Sequence, residues 1–192
     1  MAGPARIGVF GGTFDPPHIG HLVAAQELHD QLALDRLLLV PAAVPPHKTD
    51  RTVTPGAVRL AMLRAAVEGD ARFEISELEL ERDGPSYTVD TLRELRRRHP
   101  EAALLLAVGA DQLAELESWR DPDGIAALAE LVAFRRGGQP VPETARSVRV
   151  VEVPAVEVSS TAVRERVAAG RPVRYLVPEA VRKVIDREGL YR

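Results

Sequence analysis

Two histidines stand three residues apart, directly after a glycine pair. The segment reads Gly11-Gly12-Thr13-Phe14-Asp15-Pro16-Pro17-His18-Ile19-Gly20-His21, and a helical pattern begins at His18. The spacing places both imidazole rings on one face of that helix, so they can reach the same ligand. A helix N-terminus disfavours a positive imidazolium, and a bound polyphosphate would reverse that penalty. The pattern therefore indicates a site for phosphate chemistry.

The glycine pair alone fits two readings. Gly11 and Gly12 let the backbone come close to a ligand, and N–H groups at the next helix start can face an anion. They equally fit a tight strand-to-helix turn, and a lone histidine would be structural by default. Neither Gly-x-Gly-x-x-Gly nor Gly-Lys-Ser/Thr is present, so the known dinucleotide and Walker motifs are excluded. Together with the histidines, the turn predicts a nucleotide site, and Gly20 is expected to leave room for the nucleotide.

A second set of anion-binding groups lies near the end of the chain. Ser159, Ser160 and Thr161 precede a helical pattern, so their hydroxyls and the first N–H groups can accept a phosphate. Arg164, one turn further on, is expected to point back to the same place. The alternative is a plain serine N-cap with a surface arginine.

A third candidate region follows a strongly apolar run. Gly109 and Asp111 stand at its end, where open α/β sheets bind their ligands. Asp111 is also a candidate helix N-cap. Trp119 is the single tryptophan, and an isolated indole of this kind is more often a core residue than a ligand shelf.

The elements that must position these groups alternate along the chain. Short apolar runs are each followed by a longer segment of helical spacing, which predicts an α/β fold: a Rossmann-like parallel sheet with helices on both faces. The length of 192 residues fits a single domain, residues 1–192. Strands are predicted at 6–10, 36–41, 73–77, 104–108, 131–135 and 148–153. Helices are predicted at 18–32, 55–68, 88–99, 111–117, 122–130, 160–169 and 178–188.

The amino-acid composition excludes several classes of function. With 25 Lys and Arg against 28 Asp and Glu, the net charge of −3 has the wrong sign for a protein that coats nucleic acid. The arginine run at 93–98 reads instead as a solvated helix face. The lack of cysteine excludes disulfides and thiolate chemistry and fits a cytoplasmic location. No leader pattern and no run of about 18 apolar residues is present, so no membrane association is expected.

Five sequence blocks resemble the nucleotidylyltransferase superfamily and, with histidine at both ends of the His-x-Gly-His motif, its bacterial nicotinate mononucleotide adenylyltransferases. The resemblance covers nearly the whole chain, and the blocks occur in the same order. They are Gly11–Leu22, Pro41 with Pro45–Lys48, Ser86–Thr91, Gly109–Asp111 with Ser118-Trp119, and Val158–Arg164.

The resemblance implies transfer of the adenylyl group of ATP to the 5′-phosphate of nicotinate mononucleotide, with release of pyrophosphate. A phosphate monoester is largely a dianion at pH 7, so the reaction needs position and charge rather than a general base. The catalytic residues it implies are His18, His21, Lys48 and Arg164. The ATP-binding residues are Gly11, Gly12, Thr13, Phe14, Gly20, Gly109, Asp111, Ser159, Ser160 and Thr161. The mononucleotide-binding residues are His47, Tyr87, Thr88, Trp119 and Arg120.

The same resemblance gives the expected partners, ATP and nicotinate mononucleotide, and leaves a homo-oligomer open. No carboxylate and histidine cluster has the spacing of a metal cage, so Mg²⁺ is expected to arrive on ATP. Asp15 is expected to stabilise its turn. Ala42-Ala43 stands where many relatives carry a polar residue such as Asn. Two alternatives stay open: a sister adenylyltransferase acting on nicotinamide mononucleotide or phosphopantetheine, and an idle nucleotide-sensing module.

Overall fold

The computed structural model describes residues 3–44, 53–144 and 146–192 and contains one six-stranded sheet. All neighbouring strands pair in parallel, in the order β3-β2-β1-β4-β5-β6. The strands are β1 Arg6–Gly12, β2 Arg36–Pro41, β3 Phe73–Ile75, β4 Ala103–Gly109, β5 Glu130–Arg136 and β6 Val148–Val153. The helices are α1 Ile19–Gln31, α2 Gly56–Val67, α3 Thr88–Arg98, α4 Ala110–Leu113, α5 Pro122–Leu128, α6 Ser160–Ala168 and α7 Glu179–Arg187, with a 3₁₀ turn at Leu116–Ser118.

The sheet forms the middle layer because its central strands are apolar on both faces. Residues 37–40 of β2 and 104–108 of β4 are all buried, as parallel strands covered by helices on both sides require. Separate apolar clusters contain Leu92 of α3 and Leu28 of α1. A third cluster joins α2, α6 and α7 around Met62, Val163 and Val181. The predicted fold class is confirmed.

The predicted strands are all present, and two helical regions end differently. The predicted helix 111–117 is divided into α4 and the 3₁₀ turn, separated by Ala114 and Glu115. Helix α5 begins after Asp121, whose side chain accepts the Gly124 N–H at 3.0 Å. It ends at Leu128 because Glu130 already belongs to β5, the strand beside β4.

The order of the strands determines where a ligand can bind. From β1 the chain continues to β2 and β3 on one side, and then crosses to β4 on the other side of β1. At such a switch point the connections leave in opposite directions, and a crevice opens at the carboxyl ends of the strands. Strands β1 and β4 end there at Gly12 and Gly109. Within the described ranges, no helix is long and apolar enough to cross a membrane.

Candidate active site

A cavity of about 690 Å³ lies at the carboxyl ends of the strands. Residues from β1, β4, β5, the start of α3 and the segment after α4 form its wall. Ten of the residues predicted from the sequence belong to this wall. They are Gly11, Gly12, Thr13, His21, Tyr87, Thr88, Gly109, Asp111, Trp119 and Arg120. The crevice thus brings together the first, third and fourth sequence blocks.

The other predicted residues lie elsewhere. His18, Phe14 and Gly20 are buried next to the cavity rather than on its wall. Ser159, Ser160, Thr161 and Arg164 lie at the start of α6, also off the wall. His47 and Lys48 lie outside the described residues, so their assigned roles stay predictions.

The two motif histidines form one unit. Their rings are stacked, with centroids 3.7 Å apart, and the His18 backbone N–H donates to Nδ1 of His21 at 3.2 Å. An accepting Nδ1 carries no proton, so the proton of neutral His21 is on Nε2. His21 therefore contributes a donor in a fixed tautomer to the cavity wall.

His18 lies deeper and is only 3% exposed. Burial and, to a smaller extent, the positive charge of Arg136 together lower the pKa of its imidazole to about 4. Its Nδ1 is buried and has no hydrogen-bond partner among the described residues. At pH 7 His18 is therefore a neutral ring, and it becomes a cation only if an anion is bound beside it.

The space beside Gly20 is already occupied. A Cβ added there would lie 3.1 Å from both Cε1 and Nδ1 of the His18 ring. The imidazole of His18 lies in that space, and the expectation that Gly20 leaves room for a nucleotide stays a prediction. The glycine instead lets His18 fold back against its own helix.

Helix α2 supports the turn between β1 and α1, residues Thr13–His18, which is here called the β1–α1 turn. Arg59 is 1% exposed, and its guanidinium donates to the carbonyls of Thr13 and Thr54, each at 2.8 Å, and of Ala43 at 3.3 Å. These bonds join the ends of β1 and β2 to the start of α2. Sequence analysis missed Arg59, because nothing in a helical pattern marks one arginine as buried.

The start of α6 contacts the same turn. Ser159 caps the helix by accepting the Ala162 N–H at 3.1 Å, and Ser160 Oγ donates to the Pro16 carbonyl at 2.9 Å. Arg164 donates to the Asp15 carbonyl at 2.7 Å and to Thr161 Oγ1 at 3.0 Å. The predicted serine and arginine block therefore braces the β1–α1 turn.

The opposite part of the wall carries aromatic groups. Trp119 packs against the core cluster of β4 and lines the cavity. The Arg120 guanidinium lies 4.7 Å from the centre of the Tyr87 ring and 3.5 Å from the Asp90 carboxylate. The N–H groups of Thr88 and Arg120 form no hydrogen bond within the described part of the chain. This region therefore combines aromatic side chains with two backbone N–H groups that have no partner among the described residues.

A buried carboxyl group stands behind these donors. Glu79 is 8% exposed, accepts the Thr91 hydroxyl at 2.7 Å and also bonds to Ser86. Burial raises the pKa of Glu79, against the opposite effect of those two hydrogen bonds. Ser86 Oγ in turn accepts the Ala43 N–H at 2.9 Å. Sequence analysis missed Glu79, although a carboxylate between Leu78 and Leu80 was a usable signal.

Arg136 is the second wall residue that sequence analysis missed. It is the last residue of β5, lines the cavity and forms no ion pair among the residues that the structure describes. An unpaired guanidinium on a cavity wall suits an anionic ligand. In the same ranges, no group of three or more His, Cys, Asp or Glu side chains could hold a metal ion.

The chain is similar to known proteins over most of its length. Residues 9–166 match the model of the cytidylyltransferase-like family. A protein of Exiguobacterium sibiricum named "Probable nicotinate-nucleotide adenylyltransferase" is 50% identical over 97% of this chain and 98% of its own length. A Thermus thermophilus protein of the same name is 49% identical over 97% of this chain and all of its own.

The chain belongs to the cytidylyltransferase-like family, whose model matches most of its length. Within that family it belongs to the nicotinate-nucleotide adenylyltransferases. Among solved structures, the Plasmodium falciparum nicotinic acid mononucleotide adenylyltransferase complexed with NaAD has a TM-score of 0.83 over 97% of both chains. At 16% identity, that likeness establishes the fold alone.

Proposed function

We propose that the chain transfers the adenylyl group of ATP to nicotinate mononucleotide, giving nicotinate adenine dinucleotide and pyrophosphate. One observation carries this proposal beyond family membership. A single cavity has the stacked His18–His21 pair beside one part of its wall, and Thr88, Trp119 and Arg120 on another. A dinucleotide product needs both a phosphate region and a region that reads a base.

The reaction requires little proton chemistry. An oxygen of the mononucleotide phosphate attacks the α-phosphorus of ATP, a new P–O bond forms, and the bond to the β-phosphate oxygen breaks. The attacking phosphate is largely a dianion at pH 7, so it carries its own electron pair. The protein must align the two phosphates and balance the charge that moves onto pyrophosphate.

The phosphate part of the wall supports these tasks. Thr13 lies on the cavity wall, and His21, in the first turn of α1, adds its Nε2–H. We assign His18 to the α-phosphate, where a neutral imidazole donates a hydrogen bond to the oxygens on which negative charge builds up. Arg136 is a further candidate for the ATP phosphates, in addition to the predicted Arg164 and Lys48.

Trp119 and its neighbours support recognition of the base. The indole gives a stacking surface for the pyridine ring, and the N–H groups of Thr88 and Arg120 are two donors for its carboxylate. Because a carboxylate offers only acceptors, it satisfies both donors.

The side chains on the described part of the cavity wall are compatible with a Mg²⁺ ion that arrives bound to ATP. Both carboxylate oxygens of Asp15 accept hydrogen bonds, from Tyr191 at 2.6 Å and from the Thr54 N–H at 3.3 Å, which supports its role in ordering the turn. The triphosphate and water would hold most of the coordination sphere, as Mg²⁺ prefers. When bound, the ion supplies positive charge for the leaving pyrophosphate.

We further propose that residues 1–192 act as one nucleotidylyltransferase domain in the cytoplasm. The match of the family model to residues 9–166 and the nearly full coverage of the relatives support the first part. The absence of cysteine from the sequence fits the second.

One assay tests the proposed function. Purified protein is mixed with ATP, Mg²⁺ and one acceptor, and pyrophosphate release is followed with nicotinate mononucleotide, nicotinamide mononucleotide or 4′-phosphopantetheine. We expect turnover with nicotinate mononucleotide and formation of the dinucleotide. Faster turnover with another acceptor would identify a sister enzyme, and ATP binding without turnover would identify a sensing module.

A further inference from the structure

Asp15 is an acidic residue buried in the middle of the β1–α1 turn. It is 2% exposed and lies between Thr13 on the cavity wall and His18. It forms no direct ion pair within the described ranges, and both of its carboxylate oxygens accept hydrogen bonds. A buried acid in this position orders the protein around it rather than touching a ligand.

The strongest of these bonds comes from the far end of the chain. Tyr191 Oη donates to Asp15 Oδ1 at 2.6 Å, across 176 positions of sequence. Burial raises the pKa of the Tyr191 phenol, and the bond to Asp15 raises it further. The hydroxyl therefore keeps its proton and remains a donor at every pH at which the protein works.

The C-terminal segment is itself fixed to the body of the protein. Tyr191 and Leu190 pack against the apolar cluster of α2, α6 and α7. The Leu176 carbonyl accepts the N–H of Ile19, the first residue of α1, at 3.0 Å. The chain after α6 thus contacts Asp15 in the β1–α1 turn and Ile19 at the start of α1, on either side of His18.

We propose that Tyr191 is a positioning residue for adenylyl transfer. Its hydroxyl holds the Asp15 carboxylate and so fixes the direction of the Thr13 backbone and the His18–His21 pair. This inference rests on the proposed function. It extends the catalytic apparatus to a residue outside the 9–166 range that the family model matches.

The test is Tyr191→Phe, which removes the hydroxyl and keeps the packed ring. Losing one hydrogen bond to a charged group should lower kcat about tenfold and raise the Kd of an ATP analogue about threefold. The KM for nicotinate mononucleotide should stay within twofold. Tyr175→Phe is the matched control, because Tyr175 is 82% exposed and in the same C-terminal region; it should behave as wild type.

Two results would overturn the proposal. One is a Tyr191→Phe variant whose kcat and ATP-analogue Kd both match wild type. The other is a variant in which the Kd of the ATP analogue and the KM for nicotinate mononucleotide rise by the same factor and the Tm falls. That result would indicate a general loss of stability of the folded protein. If wild type transfers no adenylyl group, the proposed function fails, and the Kd of the ATP analogue alone decides the role of Tyr191.

Discussion

Two parts of the cavity wall are held by different kinds of interaction. The phosphate end is the β1–α1 turn with His21, and its support is buried: Asp15, His18 and Arg59 are each at most 3% exposed. The pyridine end includes residues 116–123 around Trp119, and surface ion pairs support it. Arg146 reaches Glu117 at 2.8 Å and Asp123 at 2.9 Å, and the side chains of these two acids are 60% and 91% exposed.

The difference has an energetic meaning. A buried polar group that loses its partner costs about 1–3 kcal/mol, whereas an exposed ion pair contributes about 0–1 kcal/mol and weakens with salt. The phosphate end is therefore fixed once the protein has folded. The pyridine end can adjust, which suits a surface that must close over one base and later release a dinucleotide.

The largest expected effect belongs to the phosphate end. His18→Ala should lower kcat by about 10²–10³ while leaving the fold and most ATP affinity intact, as loss of one group that stabilises transition-state charge commonly does. Steady-state kinetics with purified variants measures it. His29→Ala, near the far end of the helix that His18 precedes, is the control. A loss of tenfold or less for His18→Ala would remove His18 from the chemistry.

Low pH should reduce the free energy of unfolding through His18, which lies at the phosphate end. The pKa of His18 is about 4 in the folded protein and about 6.5 in an unfolded chain. Between these values the unfolded state binds more protons, so stability is complete above about pH 6.5 and falls as the pH drops toward 4. The linked loss is on the order of 3 kcal/mol.

Urea unfolding at pH 7 and pH 4.5 tests this linkage. Many carboxylates also titrate in this range, so the quantity of interest is the difference between wild type and His18→Asn. We expect the variant to lose about 2 kcal/mol less stability than wild type over that interval. Parallel pH profiles for the two proteins would show that burial does not suppress protonation of His18.

The pyridine end should discriminate acid from amide. The two mononucleotides have nearly the same shape, so Trp119 stacks on both. An amide would present its NH₂ to one of the two N–H donors and leave it unsatisfied, and the charge-assisted bond would be lost as well. We expect a preference for nicotinate mononucleotide of at least about 10²-fold in kcat/KM. Comparable values for the two substrates would define a dual-specificity enzyme.

Predictability from sequence differs between the same two regions. The six strands were predictable because each is a short apolar run, and the His-x-Gly-His turn because its residue types are rare together. The bonds from Arg59 to Thr13 and from Tyr191 to Asp15 were not, since they join segments 46 and 176 residues apart. Glu79 was missed because Glu77 and Glu81 alternate with it along the same segment, and Arg136 because it reads as the end of an apolar run. The sequence therefore predicts the motifs, but not the long-range hydrogen bonds that hold them in position.

The smallest expected effect tests the surface support of the pyridine end. Arg146→Gln removes the cation that bridges Glu117 and Asp123, so the Trp119 segment should be less ordered before substrate binds. Because exposed ion pairs contribute little, the KM for nicotinate mononucleotide should rise only roughly threefold, with kcat within twofold. Arg149→Gln is the matched control, because Arg149 pairs with Glu130 at 2.7 Å between β5 and β6, away from the cavity.

Salt provides a second test of the same ion pairs. At about 0.5 M NaCl, screening should raise the wild-type KM toward that of Arg146→Gln. If Arg146→Gln instead lowered kcat more than tenfold with an unchanged KM, the surface pairs would control the chemistry, and the contrast between a fixed phosphate end and an adjustable pyridine end would fail.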